Sequence, residues 1–311
     1  MIGVILLNMG GPDSLDAVKP FLQNLFADRD IIRLGPAFLQ KPIASLIINL
    51  RLKKTIELYS LIGGKSPLAE ITSTQAKALE KALNIKIYVG MRYWHPFIYD
   101  TLKEMKRDGV TKVLALSLYP QYSVATTGST VKMFETAIKG QKMEYACITS
   151  WFDHSGYIDA LVEKIEEGLK GFDEKPVVLF SAHSLPQRFI DEGDPYCEHI
   201  NKTIIAISKK IDMDWRLSFQ SKTGPVKWLE PSTEAMLETL AGEKKKNVLV
   251  VPISFVSDHI ETLYEIDILY KNMAKGLGIN LKRTESLNVS ATFINALADI
   301  VITKTKELNW L

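Results

Sequence analysis

Asp258, Glu261 and Glu265 stand at i, i+3 and i+7 in the run Ser-Asp-His-Ile-Glu-Thr-Leu-Tyr-Glu-Ile-Asp at 257–267. If the run is helical, the three carboxylates share one face. Like charges at that spacing destabilise a helix by ~0.2–0.5 kcal/mol per neighbouring pair. A cation among them relieves the repulsion, and a divalent metal or a travelling proton fits. A solvated acidic face is the plainer alternative. Phe255, Leu263, Tyr264 and Ile268 flank the acids and argue against full exposure. His183 is the second chemical residue, in Ser181-Ala182-His183-Ser184-Leu185-Pro186 directly after the apolar run 177–181. A neutral imidazole there accepts a proton or binds a divalent metal. Nitrogen and carboxylate donors without thiolate, as in His183 with Glu261, suit ferrous iron and similar ions. His259 neighbours the acids and either relays protons or fixes a carboxylate. His95 precedes Pro96 and reads as structural, while His154 and His199 lie in polar surroundings and read as exposed.

Two glycine loops are weaker signals. Asn8-Met9-Gly10-Gly11-Pro12 ends a strand and opens a helix, so its N–H groups could meet an anion. Neither it nor Gly63-Gly64-Lys65-Ser66-Pro67 has a dinucleotide or P-loop spacing, which lowers a nucleotide-dependent enzyme. Aromatic and basic residues cluster at three further strand ends: 91–96, 118–123 and 220–229. Together they describe a broad, apolar, polar-rimmed pocket. Arg92 could pair with a carboxylate of a planar ligand.

The elements that position these residues alternate. Strands are expected at 3–8, 86–91, 112–117, 145–148, 177–181, 215–220, 247–251 and 279–283. Helices are expected at 14–26, 42–59, 71–83, 97–107, 130–139, 156–169, 195–211, 233–241, 257–275 and 291–308. Continuous apolar strands separated by helices imply parallel sheets covered on both faces. Such sheets present ligands beyond the C-terminal strand ends. The chain also repeats loosely: 4–12 resembles 177–186, and 113–128 resembles 248–262. The fold class is therefore α/β, with two similar Rossmann-like halves, each a parallel sheet flanked by helices, at 1–152 and 153–311, facing each other across a central cleft.

The chain has 311 residues and a net charge of +2, so no basic field points to nucleic acid. Cys147 and Cys197 stand far apart, which fits a reducing compartment and excludes a self-contained cysteine-ligated cluster. The start reads as a first strand rather than a signal peptide. No apolar run approaches the ~20 residues of a membrane span. Cytoplasm is the expected compartment. The segment 36–54 is apolar with a basic end, Arg51-Leu52-Lys53-Lys54. It either packs on the core, forms a lip over a flat apolar ligand, or contacts a membrane interface peripherally.

The chain resembles the ferrochelatases, which insert ferrous iron into a porphyrin at the end of heme synthesis. The resemblance rests on 6–12, Gly63-Gly64 with Ser66-Pro67, Arg92-Tyr93 with His95-Pro96, 119–123 with 126–129, 181–186, 194–196, Gln220-Ser221-Lys222 with Gly224-Pro225 and Trp228-Leu229, 257–265 and 285–288. It implies a chelatase-like fold around a porphyrin cleft. It implies that His183 takes pyrrole protons or binds the metal, with Glu261 as its partner. Asp258, His259 and Glu265 would form a path for protons or iron, on a helix with a π-type widening. Met9, Arg92, Tyr119, Ser221 and Trp228 would line the porphyrin pocket. The substrates would be protoporphyrin IX and Fe²⁺, with no cofactor required. Some relatives hold a [2Fe–2S] cluster through an internal cysteine and a cysteine-rich extension; Val124 stands at the matching position here, so no cluster is expected. The extension also supports dimerisation in those relatives, so a monomer is expected here. Ser60-Leu61 replaces a basic pair found in animal-type relatives. Alternatives are a coproporphyrin III ferrochelatase, a cobalt chelatase, and a non-catalytic porphyrin or metal carrier.

Overall fold

Short runs of Val, Ile and Leu form eight strands in a computed structural model that describes residues 1–310. They are β1 (Ile2–Asn8), β2 (Lys86–Met91), β3 (Lys112–Ser117), β4 (Glu144–Ile148), β5 (Val177–His183), β6 (Trp215–Gln220), β7 (Asn247–Pro252) and β8 (Asn280–Arg283). They make two four-stranded sheets, ordered β2-β1-β3-β4 and β6-β5-β7-β8. Every pairing is parallel. The two orders are the same once the second set is read as β1 to β4, so the loose sequence repeat is a repeat of topology. The interiors of β1, β5 and β7 are fully buried, as strands covered on both faces must be.

The chain divides into two compact units, Met1–Ser150 with Leu297–Leu311, and Trp151–Ala296. The expected assignment of 153–311 to one half thus differs at its end. The helix Ala291–Glu307 starts in the second unit and finishes in the first. Beyond it, the Trp310 indole N–H donates to Glu144 Oε1 at 3.0 Å, and Lys112 Nζ stands 5.7 Å from the Trp310 ring.

In the first unit, Ile5, Leu7, Leu102, Met105, Phe134 and their neighbours form the core. Burying each such side chain contributes ~1.5–3 kcal/mol. Gly11 follows β1 where an added Cβ would sit 2.5 Å from Ser66 Oγ, so the loop after β1 requires a bare backbone there. The helix Gln40–Leu61 is amphipathic only in part: Ala44, Ile48 and Tyr59 are buried, while Leu46 and Leu50 are exposed, as is Phe38 just before it.

In the second unit, Leu179, Leu237, Val248 and Val250 pack with Ile266 and Tyr270. The last two belong to the run expected as a single helix over 257–275. It is a π-helix over Glu261–Tyr270 followed by an α-helix over Lys271–Gly276. Its buried residues, Thr262, Ile266 and Tyr270, recur every four positions. That period exceeds the 3.6 of an α-helix and suits the wider i→i+5 helix. A second π segment, Val124–Gly128, precedes the α-helix Ser129–Ile138 in the first unit. A short helix, Gln187–Asp191, was not expected. His199, expected to be exposed, is half-buried and stacks on Phe152 at 3.9 Å.

Candidate active site

His183 is the last residue of β5, in register with Gln220 at the end of β6. Its backbone is pinned on both sides. The N–H donates to Ser254 Oγ at 2.9 Å, and the Tyr196 hydroxyl donates to its carbonyl at 3.0 Å. The parallel sheet thus delivers the imidazole at its C-terminal edge, where such sheets place chemistry. Nδ1 lies 2.7 Å from Glu261 Oε2 in the first turn of the π segment. The side chain keeps 32% exposure, and among the described residues its ring bonds through Nδ1, which leaves Nε2 on the open side.

Glu261 and Glu265 converge on one residue. Ser221 Oγ lies 3.0 Å from Glu261 Oε2 and 2.6 Å from Glu265 Oε2. The Gln220 amide donates to the Glu261 carbonyl at 2.9 Å and to Glu265 Oε2 at 3.1 Å. Its own oxygen accepts from Ser181 Oγ at 2.7 Å, so the amide orientation is determined. Ser221 holds φ at 68°, a left-handed backbone that a non-glycine residue adopts at a cost of about 1–3 kcal/mol. Strain of this kind gathers where a side chain must be aimed.

A proton count follows from these distances. A serine hydroxyl carries one hydrogen and can donate to one carboxylate only. Both Ser221 contacts are hydrogen bonds when one carboxyl is protonated and donates back to Oγ. Burial and the neighbouring Glu261 charge push Glu265 up to about 7, so Glu265 is the acid of the pair that gains and loses a proton near neutrality. Burial also opposes the charge on Glu261, but the His183 charge and hydrogen bond outweigh it and hold Glu261 below the usual carboxylate range. Burial likewise opposes the His183 imidazolium, and Glu261 more than compensates, raising its affinity for a proton. The result is an ionised carboxylate against a histidine of raised basicity, backed by a hydroxyl and a second carboxyl that stores a proton near neutrality.

His259 lies beside this chain. Its Nδ1 donates to the Ser257 carbonyl at 3.1 Å, and burial lowers its proton affinity, so the ring is neutral. Its buried Nε2 has no hydrogen-bond partner and stands 4.0 Å from Glu261 Oε2. Asp258 is placed elsewhere. Its Oδ1 accepts from Arg283 Nη1 at 2.9 Å and Ser286 Oγ at 2.8 Å, and its Oδ2 from Asn288 at 2.8 Å. The three acids therefore do not form one continuous face: Glu261 and Glu265 share Ser221, and Asp258 is taken by an arginine.

Trp228 is half-buried in the wall of an open cavity of about 840 Å³ with Lys222, Val226 and Lys227. In the first unit, Met9 follows β1, with its N–H on Asn8 Oδ1 at 2.8 Å. That donor is not free for an anion. Arg92 follows β2, and its Nη2 donates to buried Asp28 at 2.7 Å, its Nε to Ser129 Oγ at 3.2 Å. Tyr119 lies just beyond β3, half-buried. Among the described residues, no group of three or more His, Cys, Asp or Glu side chains converges to hold a metal. A cation would meet His183 at its open Nε2, or enter between His183 and Glu261 by displacing their bond. Sequence reasoning missed Ser254, Tyr196 and Arg283 as supports. It took Ser221 as a pocket residue, whereas the structure also puts it on both glutamates.

The ferrochelatase family model matches residues 1–305. The chain belongs to the ferrochelatase family. A ferrochelatase of Geotalea uraniireducens is 53% identical over 306 residues, covering 96% of each chain. One of Geobacter metallireducens is also 53% identical, again with 96% of each chain covered. Among solved structures, SirB from Bacillus subtilis with Fe³⁺ matches with a TM-score of 0.59 and 9% identity, over 96% of this chain and 94% of that one. At that identity the likeness concerns the fold, and it is the chelatase-like fold expected for a ferrochelatase.

Proposed function

We propose that this ferrochelatase inserts Fe²⁺ into protoporphyrin IX, forming protoheme and releasing two protons, as the terminal step of heme biosynthesis. The carrying observation is the hydrogen-bonded chain His183–Glu261–Ser221–Glu265, which combines an open imidazole nitrogen with a carboxylate relay. His183 Nε2 accepts a pyrrole proton as general base, and Glu261 stabilises the imidazolium that results. Ser221 and Glu265 offer the proton a next station, and His259 flanks Glu261 at the start of that path. As the metal replaces the two protons, His183 and Glu261 are the residues that meet it. Asp258 serves the path from behind, through Arg283. Met9, Arg92, Tyr119, Ser221 and Trp228 are the proposed porphyrin contacts.

No cofactor is required for this exchange, and no [2Fe–2S] cluster is proposed. The protein acts as a monomer in the cytoplasm. No helix is long and apolar enough to cross a membrane among the described residues. The exposed Phe38, Leu46 and Leu50, near Lys53 and Lys54, support peripheral contact with the inner face of the cell membrane.

The test is anaerobic turnover of purified protein with Fe²⁺ and either protoporphyrin IX or coproporphyrin III. Free-base absorption should convert to that of the metallated product, faster with protoporphyrin IX. His183→Ala should still bind porphyrin, by fluorescence quenching, and lose roughly 10²–10⁴ in rate. Faster turnover of coproporphyrin III reassigns the substrate. Folded protein that binds porphyrin without metallating either one is a carrier.

A further inference from the structure

Arg283 ends β8, and its guanidinium reaches the π segment at two points. Nη1 donates to Asp258 Oδ1 at 2.9 Å, three residues before Glu261. Nε and Nη2 donate to Asp267 Oδ1 and Oδ2 at 2.9 and 2.8 Å, two residues after Glu265. The pairing with Asp267 is the bidentate fork that fixes direction as well as distance. The Arg283 side chain is only 10% exposed. The Asp258 end is fastened further. Thr262 Oγ1 donates to Asp258 Oδ1 at 3.0 Å, and the Asp258 N–H donates to Asn288 Oδ1 at 3.0 Å. Both glutamates therefore lie inside a span whose two ends are held by one rigid side chain.

That arrangement answers a physical problem. Glu261 and Glu265 are like-charged acids four apart, buried near each other, on a helix type that is rarely more than one turn long. Their own contacts, to His183, Gln220 and Ser221, lie at the ends of strands β5 and β6. Among those contacts only the Gln220 bond to the Glu261 carbonyl touches the helix backbone, and a bond at one point does not set the rise or width of the helix that carries the acids. The Arg283 fork does, because Asp258 and Asp267 must stay at the separation that its nitrogens allow. We infer that Arg283 is a positioning residue: through Asp258 and Asp267 it holds the wide turn that brings Glu261 onto His183 and both glutamates onto Ser221. This rests on the proposed iron insertion for its effect on turnover, but not for its effect on the helix.

Arg283→Met should lower kcat for metallation by ~10–100-fold, the scale of a misplaced catalytic group, while the porphyrin KM stays within about twofold. Arg283→Lys should recover part of the loss, since it keeps one ion pair without the fork. Amide hydrogen exchange should accelerate over 258–270 and remain unchanged in β5 and β7. If Arg283→Met exchanges faster across the whole unit, or loses kcat without a local change, the arginine is only a stability element and the inference fails. Should that variant not fold, Asp267→Asn removes the fork and leaves the Asp258 contact. It must show the same localised exchange and a smaller fall in kcat, and wild-type values for both overturn the inference. An inactive wild-type protein would count against the proposed function, while the exchange pattern would still decide the clamp.

Discussion

The two π segments occupy matching places and carry different chemistry. Val124–Gly128 follows β3 and Glu261–Tyr270 follows β7, and β3 and β7 hold the same position in sheets of the same order. Each has an arginine–aspartate pair beside it. Arg92 and Asp28 meet Ser129 at the end of the first segment, with Ser129 Oγ 2.5 Å from Asp28 Oδ2, and Arg283 brackets the second. Yet the first segment presents Thr127, whose hydroxyl lies 3.0 Å from Ser117 Oγ, and no acid. The second presents Glu261 and Glu265. The wide turn is thus a property of the repeated architecture. Under the proposed function, proton handling comes from the side chains placed on one copy of it.

Substitutions that remove this asymmetry should have graded effects. The largest belongs to Glu261→Gln, which keeps the shape but removes the charge that raises His183. Metallation should fall by roughly 10²–10⁴, as for loss of a general-base partner, in a stopped-flow absorption assay. Glu265→Gln should act mainly through pH. Glu265 is one of the charges that raise His183, so its loss lowers the histidine's proton affinity. His183 must be unprotonated to accept a proton, so activity rises as pH climbs through its pKa. The acid limb of the rate profile should therefore move to lower pH. A limb that stays in place, or moves up, would separate Glu265 from His183. Thr127→Val on the other segment should leave turnover unchanged. It removes one of the partners of the buried Ser117 hydroxyl, which still accepts from the Tyr119 N–H at 3.3 Å, and should lower unfolding free energy by ~0.5–1.5 kcal/mol in urea denaturation.

The sequence reveals the sheets because buried parallel strands are continuous apolar runs, and 177–181 or 247–251 can hardly be anything else. His183 and the glutamates were legible for a related reason: a histidine at a strand end and repelling acids are both anomalies. Other parts have no local signature. Arg283 looks like an ordinary strand terminus, and its two partners, at 258 and 267, only meet it through the fold. Asp258 appeared to belong with Glu261 and Glu265 because helical spacing groups them. The arginine that draws it away lies 25 residues along the chain. The π geometry itself is written only faintly, in the four-residue recurrence of Thr262, Ile266 and Tyr270.

The helix Ala291–Glu307 and Trp310 have a consequence for how the protein is made. The first 150 residues leave the ribosome early, with β1 to β4 complete. Their unit still lacks the stretch from Leu297 onward, including the indole that reaches Glu144. Domains usually fold in the order of their synthesis. Here the half that is made first is finished last, so a nascent chain carries an unclosed first half until the second has been translated.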